Sequence, residues 1–353
     1  MATSAGLLAI ALSIAEPPAQ DARSYWNEWA AARKYRFAAT KDERVLLLLP
    51  VERRHPERTL DLVERALARV DALAPAASDP PVAPPAPALP AATKVPAAWG
   101  ASDRALDEGT IVIGLFRDPG DYSEALLHLA KSFDYLKTWV EQGRDDPGCI
   151  LERPLFGACA ESVPGMEEWS PDHELVHRAA QLAMLRRFGQ QPVWVALGLG
   201  WNVEFDVLRS IYCFPWRRGF VGVGEHGGFE GLLRRAFTTR PKQPLTIEEL
   251  AACRRGSFEP EQAAFAWGTI RFVAEHHPAA LAPLLRELHE RRETLGRVPA
   301  GGRNWVMAAD FELSAAEQKL VLDRIVAPDL LAQASAWFVL GKRWRKPAAR
   351  GSG

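Results

Sequence analysis

The segment His173-Glu174-Leu175-Val176-His177 decides how the rest of the chain is interpreted. Residues four apart lie one above the other on the same face of an α-helix. Both imidazoles can therefore reach one metal ion, and the glutamate between them can reach a water bound to that ion. Zinc lowers the pKa of such a water, and the carboxylate can take its proton. The motif predicts a hydrolytic Zn²⁺ site with His173 and His177 as ligands and Glu174 as general base.

The residues around this motif predict that it lies on a buried helix. Ser170 and Pro171 are typical of an N-cap and a first helical position, and Gly189 is typical of the residue after a helix. Between them, apolar residues recur on two adjacent faces: Leu175, Ala179 and Leu182, and Val176, Ala180 and Ala183. The alternative interpretation is that both histidines are ordinary hydrogen-bonded core residues. Glu174 would then be a buried charge without a purpose.

The segment that follows the helix carries a family resemblance. A catalytic zinc site needs a third protein ligand and an open position. Pro192, Trp194 and Gly198 follow the motif, and H-E-x-x-H followed by P-x-W-x-x-E-G resembles the gluzincin zinc peptidases, most of all the bacterial peptidase MA-like domains. In that family the glutamate of the E-G pair is the third zinc ligand. This chain has Leu197 at that position, and leucine cannot bind zinc.

The resemblance implies a fold and a substrate class. The fold is α+β and zincin-like, with a small mixed sheet, an active-site helix that carries the motif and a mainly helical C-terminal part. The substrate is a peptide or protein. In zincins an edge strand beside the active-site helix holds the substrate backbone by strand addition, and residues 149–163 are in the right place for that role.

Leu197 leaves two accounts of the site open. In the first, Glu204 is the third ligand; it lies two helical turns beyond Leu197, so the second helix enters the site about 10 Å out of the family's register. Gly198 and Gly200 could loosen the backbone ahead of it. In the second, the metal site has decayed, and the chain is a catalytically inactive relative that binds a peptide or a partner. Glu204 is then an ordinary solvated residue.

Two further residues are candidates for stabilising the transition state. Gluzincin-like sites use a Tyr or His to stabilise the oxyanion. Tyr212 and His226 follow the two helices and could serve in this way. A histidine in a glycine-rich loop such as that around His226 is, however, more often simply solvated.

Composition limits the classes of partner. The chain has 353 residues, a formal net charge of −1 and mixed charges without a basic stripe, so nucleic acid is not expected as a partner. An apolar run from Ala5 to Ala15 is too short to span a bilayer stably and predicts a signal peptide. We therefore expect a protein of bacterial type exported to the periplasm or the exterior. The four cysteines, Cys149, Cys159, Cys213 and Cys253, allow disulfides without indicating their pairing. The oligomeric state is not indicated.

The order of patterns predicts the domain organisation. We expect a signal peptide over 1–20, a strand and helix unit over 21–73, a linker rich in Pro and Ala over 74–104, a zincin-like catalytic core over 105–240, a helical subdomain over 241–346 and a disordered tail over 347–353. Within these units the patterns predict a helix over 22–39, a buried strand over 45–49 and a helix over 122–142.

Overall fold

The structure is a computed structural model. It describes residues 21–75, 110–133, 136–146, 148–166, 169–212, 228–239, 243–254, 258–301, 304–307 and 311–344. The predicted signal peptide, most of the predicted linker and the C-terminal tail lie outside these ranges.

The described chain alternates strands and helices first and is mainly helical afterwards. The N-terminal elements are α1 (Ala22–Arg33), β1 (Tyr35–Ala39), β2 (Val45–Pro50), α2 (Pro56–Leu73), β3 (Ile111–Phe116), α3 (Pro119–Ser132), α4 (Lys137–Gly143), β4 (Gly148–Leu151) and β5 (Phe156–Ala160). The later elements are α5 (Pro171–Phe188), α6 (Val193–Leu208), α7 (Phe229–Thr239), α8 (Ile247–Ala251), α9 (Pro260–His276), α10 (Pro278–Leu295), β6 (Arg297–Gly301), β7 (Asn304–Met307), α11 (Ala315–Ile325) and α12 (Leu330–Leu340).

The first five strands form one small mixed sheet in the order β1-β2-β3-β5-β4. β2, β3 and β5 are parallel, whereas β1 and β4 pair antiparallel with their neighbours. β6 and β7 form a separate antiparallel pair. The predicted α+β class with a small mixed sheet is therefore confirmed.

Helices cover both faces of this sheet. Alternate residues of a strand point to opposite faces, and Leu47 and Ile113 accordingly pack with α2, α5 and α6, whereas Leu48 and Val112 pack with α1 and α3. All residues of β2 and β3 are buried, as expected for central strands covered on both sides. One face of the sheet therefore packs against α5.

α5 carries the H-E-x-x-H motif and lies between the sheet and α6. It is preceded by Ser170, has Pro171 in its first turn and is followed by Gly189, whose positive φ of 68° suits a residue without a side chain. α6 packs between α5 and α9 and is buried over nearly its whole length. The site residues of α5 and α6 therefore face each other in the interior.

Two helix predictions need correction. The predicted helix over 22–39 ends at Arg33: Lys34 adopts a left-handed conformation, and Tyr35–Ala39 is β1, which pairs with β2 along its whole length. The predicted helix over 122–142 is two helices, α3 and α4, because the chain leaves helical geometry at Phe133. Strand pairing and a local backbone break decided these segments, and neither is visible in periodicity.

The sheet edge does not offer the open strand expected for a bound peptide. β4 is the outer strand beside β5, but all four of its residues are buried.

Among the described helices, none combines the length and apolar character needed to cross a bilayer. The expectation that no stable membrane span is present agrees with this finding for the described part of the chain.

The described cysteines form no disulfide. Cys149, Cys159 and Cys253 are buried free thiols, and Cys213 lies outside the described residues. Cys149 belongs to the cluster on one face of the sheet and Cys159 to the cluster on the other. Their proximity in sequence therefore does not bring the two thiols together.

Candidate metal centre

The Glu204 carboxylate joins the two motif histidines. Its Oε1 lies 2.7 Å from Nδ1 of His173, and its Oε2 lies 3.1 Å from Nδ1 of His177. His177 and Glu204 are fully buried, while 14% of the His173 side chain is exposed. The interpretation of Glu204 as a solvated surface residue is therefore wrong. α5 and α6 together place two imidazoles around one carboxylate.

The turn after α6 completes the surroundings of this carboxylate. The backbone N–H of Tyr212 donates to Oε1 of Glu204 over 2.5 Å. The Tyr212 ring lies against the His173 ring with centroids 5.4 Å apart, and the Ser210 hydroxyl oxygen is 3.3 Å from Nε2 of His173. Arg209, with a positive φ of 65°, ends α6 and turns the chain back toward α5. The turn thus covers the more exposed of the two histidines.

These contacts keep Glu204 ionised. Burial alone would raise the pKa of its carboxyl, but hydrogen bonds from His173 and His177 lower that pKa below its ordinary value. A buried carboxylate with several N–H donors is an anion already suited to a cation or to protonated imidazoles. The Glu204 carboxylate therefore carries its negative charge inside the protein.

His177 lies against the backbone of α6. A Cβ atom built on Gly200 would come within 2.8 Å of Nε2 and Cε1 of its ring. Nε2 of His177 is buried and has no hydrogen-bond partner in the described chain. Its Nδ1 is the atom that faces Glu204. The ring therefore occupies space that only a glycine at position 200 leaves open.

Glu174, the predicted general base, is in an ion pair. Its Oε2 lies 2.5 Å from Nη2 of Arg178, one helical turn later, and both side chains are almost completely buried at 3% and 0% exposure. The guanidinium passes close to β4, because a Cβ on Gly148 would come within 2.7 Å of Nη2. Glu174 thus points toward the strands β4 and β5, and Arg178 holds one of its oxygens.

The types of ligand atom in this centre suit zinc. The distances between those atoms, however, are those of hydrogen bonds rather than of ligands around an ion. Two imidazoles and one carboxylate are a known catalytic zinc ligand set. Ligand atoms around a tetrahedral zinc lie roughly 3.3–3.6 Å apart for bonds of about 2.0–2.2 Å, whereas the N···O pairs here are 2.7 and 3.1 Å apart. Among the described residues, no three His, Cys, Asp or Glu side chains surround a common point for an ion as they stand. A zinc ion therefore requires these side chains to separate by several tenths of an ångström.

The structure brings some of the predicted site residues together and not others. His173, His177 and Glu204 converge, and Tyr212 joins them through its backbone and its ring. Leu197 is buried two turns earlier on α6. His226 lies outside the described residues.

Sequence reasoning missed the contributions of Ser210 and Arg178. The spacing of Glu174 and Arg178, four residues apart on a helix predicted to be buried, is typical of an ion pair. The expected loosening at Gly198 and Gly200 is wrong, since α6 is a regular helix through both. Each glycine instead allows a close contact with a neighbouring helix.

Comparison of the sequence with family models and with curated proteins gave no match to either. The resemblance to gluzincins therefore depends on the motif residues alone.

Proposed function

We propose that this protein is a zinc-dependent peptide hydrolase with a gluzincin-like, zincin-type fold. The observation that carries the proposal is the convergence of His173, His177 and Glu204, which come from two helices and meet at 2.7 and 3.1 Å. Peptide as the substrate class rests on the motif resemblance. The order of a mixed sheet, a motif helix and a second ligand-bearing helix supports the same proposal.

The chain's own residues would divide the work as follows. His173, His177 and Glu204 would hold the ion, and the Tyr212 N–H would fix one oxygen of Glu204. Zinc supplies a water of lowered pKa and polarises the scissile carbonyl. Glu174 would accept the proton of that water and pass it to the leaving amine. For this step its carboxylate must share or leave the contact with Arg178.

A second function is favoured by that same contact. An arginine that holds a carboxylate oxygen occupies lone pairs that would otherwise accept a proton from a metal-bound water. If Glu174 stays in the ion pair, the protein is a catalytically inactive relative that binds a peptide or a partner. The buried Glu174–Arg178 pair supports this second candidate.

Metal analysis tests the first proposal. The full chain is freed of metal with a chelator, supplied with zinc, and assayed for bound zinc as wild type, Glu204→Ala and His177→Ala. We expect about one zinc per chain in wild type and a large loss in both variants. Asp206→Ala is the matched control: it lies on the same helix and pairs with Arg69 and Arg271, not with the histidines. Wild type without zinc, or Glu204→Ala with full zinc, would contradict the proposal.

Cleavage separates the two candidates. Zinc-loaded wild type and Glu174→Gln are incubated with fluorescein-labelled casein and with a library of quenched fluorescent peptides. The hydrolase predicts cleavage by wild type and a loss of about 10²-fold or more in Glu174→Gln, with zinc content unchanged. A zinc-loaded wild type that cleaves neither probe would favour the binding protein.

A further inference from the structure

Gly200 is the point of closest approach between α6 and the motif helix. The ring of His177 lies so close that a Cβ on Gly200 would be 2.8 Å from Nε2 and 3.1 Å from Nδ1. Carbon atoms of real side chains do not approach other heavy atoms to 2.8 Å. Any side chain at position 200 must therefore move the ring of His177 or separate the two helices.

The position of Gly200 on α6 relates it to Glu204. Residues four apart share a helix face, so Gly200 and Glu204 both face α5, one turn apart. The His177 ring covers Gly200 and directs its Nδ1 to Oε2 of Glu204 at 3.1 Å. The missing side chain at 200 thus leaves the space from which the ring reaches the carboxylate.

Gly198 offers a built-in comparison. It lies on the same helix two residues earlier, and a Cβ there would come within 2.6 Å of the carbonyl oxygen of Ala266 on α9. Both glycines therefore occupy tight contacts of the same helix. Only the contact of Gly200 includes a residue of the candidate metal centre.

We propose that Gly200 is a positioning residue for His177, and that it allows Glu204, rather than residue 197, to serve as the third ligand. With glycine at 200, the His177 ring lies directly against the backbone of α6, one turn before Glu204, and its Nδ1 reaches the Glu204 carboxylate. The part of this inference that concerns zinc rests on the proposed function. The contact between Gly200 and His177 does not.

The contact is tested in metal-free protein by a double-mutant cycle of Gly200→Ala and His177→Ala. Alanine is a better helix former than glycine. Once the His177 ring is removed, Gly200→Ala should therefore stabilise the protein instead of destabilising it. We expect Gly200→Ala to lower the Tm by several degrees in wild type and to leave it unchanged or raise it in the His177→Ala background. If Gly200→Ala alone does not fold, the double variant should fold as well as His177→Ala. The same loss in both backgrounds would overturn the contact.

The zinc role is tested by competition with a chromophoric chelator. We expect Gly200→Ala to raise the zinc Kd by about 10–100-fold, as the loss of groups that orient ligands does elsewhere. Gly198→Ala should lower the Tm comparably and leave the Kd at the wild-type value. A folded Gly200→Ala with the wild-type Kd would overturn the positioning role while leaving the proposed function intact. Wild type that binds no zinc would overturn the proposed function, and the metal-free cycle would still decide the contact.

Discussion

At the scale of single residues, Glu204 combines full burial with a negative charge. An uncompensated carboxylate in the interior costs several kcal/mol. Here its oxygens have contacts with the nitrogens of His173, His177 and the Tyr212 backbone. Each charge-assisted hydrogen bond contributes about 1.5–3 kcal/mol. The carboxylate is therefore stabilised before any cation is considered, and it organises both histidines.

The Glu174–Arg178 pair allows a stability prediction. Arg178→Met keeps the length of the side chain but removes its charge, and it leaves the buried Glu174 without its partner. We expect a loss of about 3–5 kcal/mol in the free energy of unfolding, the usual cost of breaking a buried ion pair from one side. Urea unfolding followed by tryptophan fluorescence measures this change.

The matched control replaces both charges. Glu174→Gln with Arg178→Met removes the buried pair without leaving a lone charge, so this double variant should be clearly more stable than Arg178→Met alone. If the two proteins unfold at the same urea concentration, Glu174 does not depend on Arg178 for its burial.

The sequence was informative about these residues to different degrees. The spacing of the motif predicted that the two histidines share a helix face, because helix geometry is regular. The count of helical turns placed Glu204 roughly 10 Å beyond the expected ligand position, so its approach to the histidines was one of two accounts that the sequence left open. The sequence could not predict Ser210 or the Tyr212 N–H, since these contacts come from a turn whose path depends on the left-handed Arg209. The sequence suggested that Gly200 loosens the backbone of α6, but its effect lies in the space that it leaves for the His177 ring.

At the scale of elements, the relation between α5 and α6 determines which residue of α6 faces the histidines. Leu197 is almost completely buried, two turns before Glu204. In the family that this chain resembles, position 197 would carry the ligand. Glu204, which meets the histidines, lies roughly 10 Å farther along α6 than the position that the motif resemblance predicts for a ligand.

A ligand transplant tests this register. Leu197→Glu combined with Glu204→Ala restores the family's glutamate at its usual place in sequence. We expect this double variant to bind no more zinc than Glu204→Ala alone, because position 197 lies two turns before the position on α6 that meets both histidines. Zinc content of the folded proteins measures the difference, and circular dichroism verifies folding. Recovery of stoichiometric zinc would mean that α6 can slide back and that its register is not fixed.

Elements were predictable where the local pattern agreed with the tertiary structure. The predicted buried strand over 45–49 is confirmed as β2, because a continuous apolar run fits a strand that is covered on both faces. The sequence pattern predicts a helix over 22–39, but Tyr35–Ala39 is a strand. Pairing with β2 decided it, and a partner strand cannot be read from the segment itself.

At the scale of the whole molecule, covering the sheet on both faces buries its thiols. Burial raises the pKa of the Cys149 thiol to about 11, with a hydrogen bond to Tyr122 acting in the opposite direction. Burial and the charge of Glu174 also raise the pKa of Cys159. Both groups are neutral when protonated, so the folded state favours the protonated form.

This gives an expectation for stability at alkaline pH. The contribution of Cys149 is complete below the unfolded thiol pKa of about 8.5 and is lost as pH rises toward its folded value of about 11. In that window the free energy of unfolding should fall by about 1.4 kcal/mol per pH unit for this thiol. Urea unfolding of wild type and Cys149→Ala at several pH values measures the difference in slope. Equal slopes would show that the Cys149 thiol is not shielded from ionisation in the fold.

The bridging carboxylate also has a kinetic consequence. An arriving cation finds both oxygens of Glu204 already in contact with nitrogen atoms, those of the His173 and His177 rings and of the Tyr212 backbone. These side chains must first separate by several tenths of an ångström before the ion can be bound. The observed rate of zinc binding should then reach a plateau as the zinc concentration rises, because the opening of the site becomes rate-limiting. Stopped-flow mixing would record that plateau.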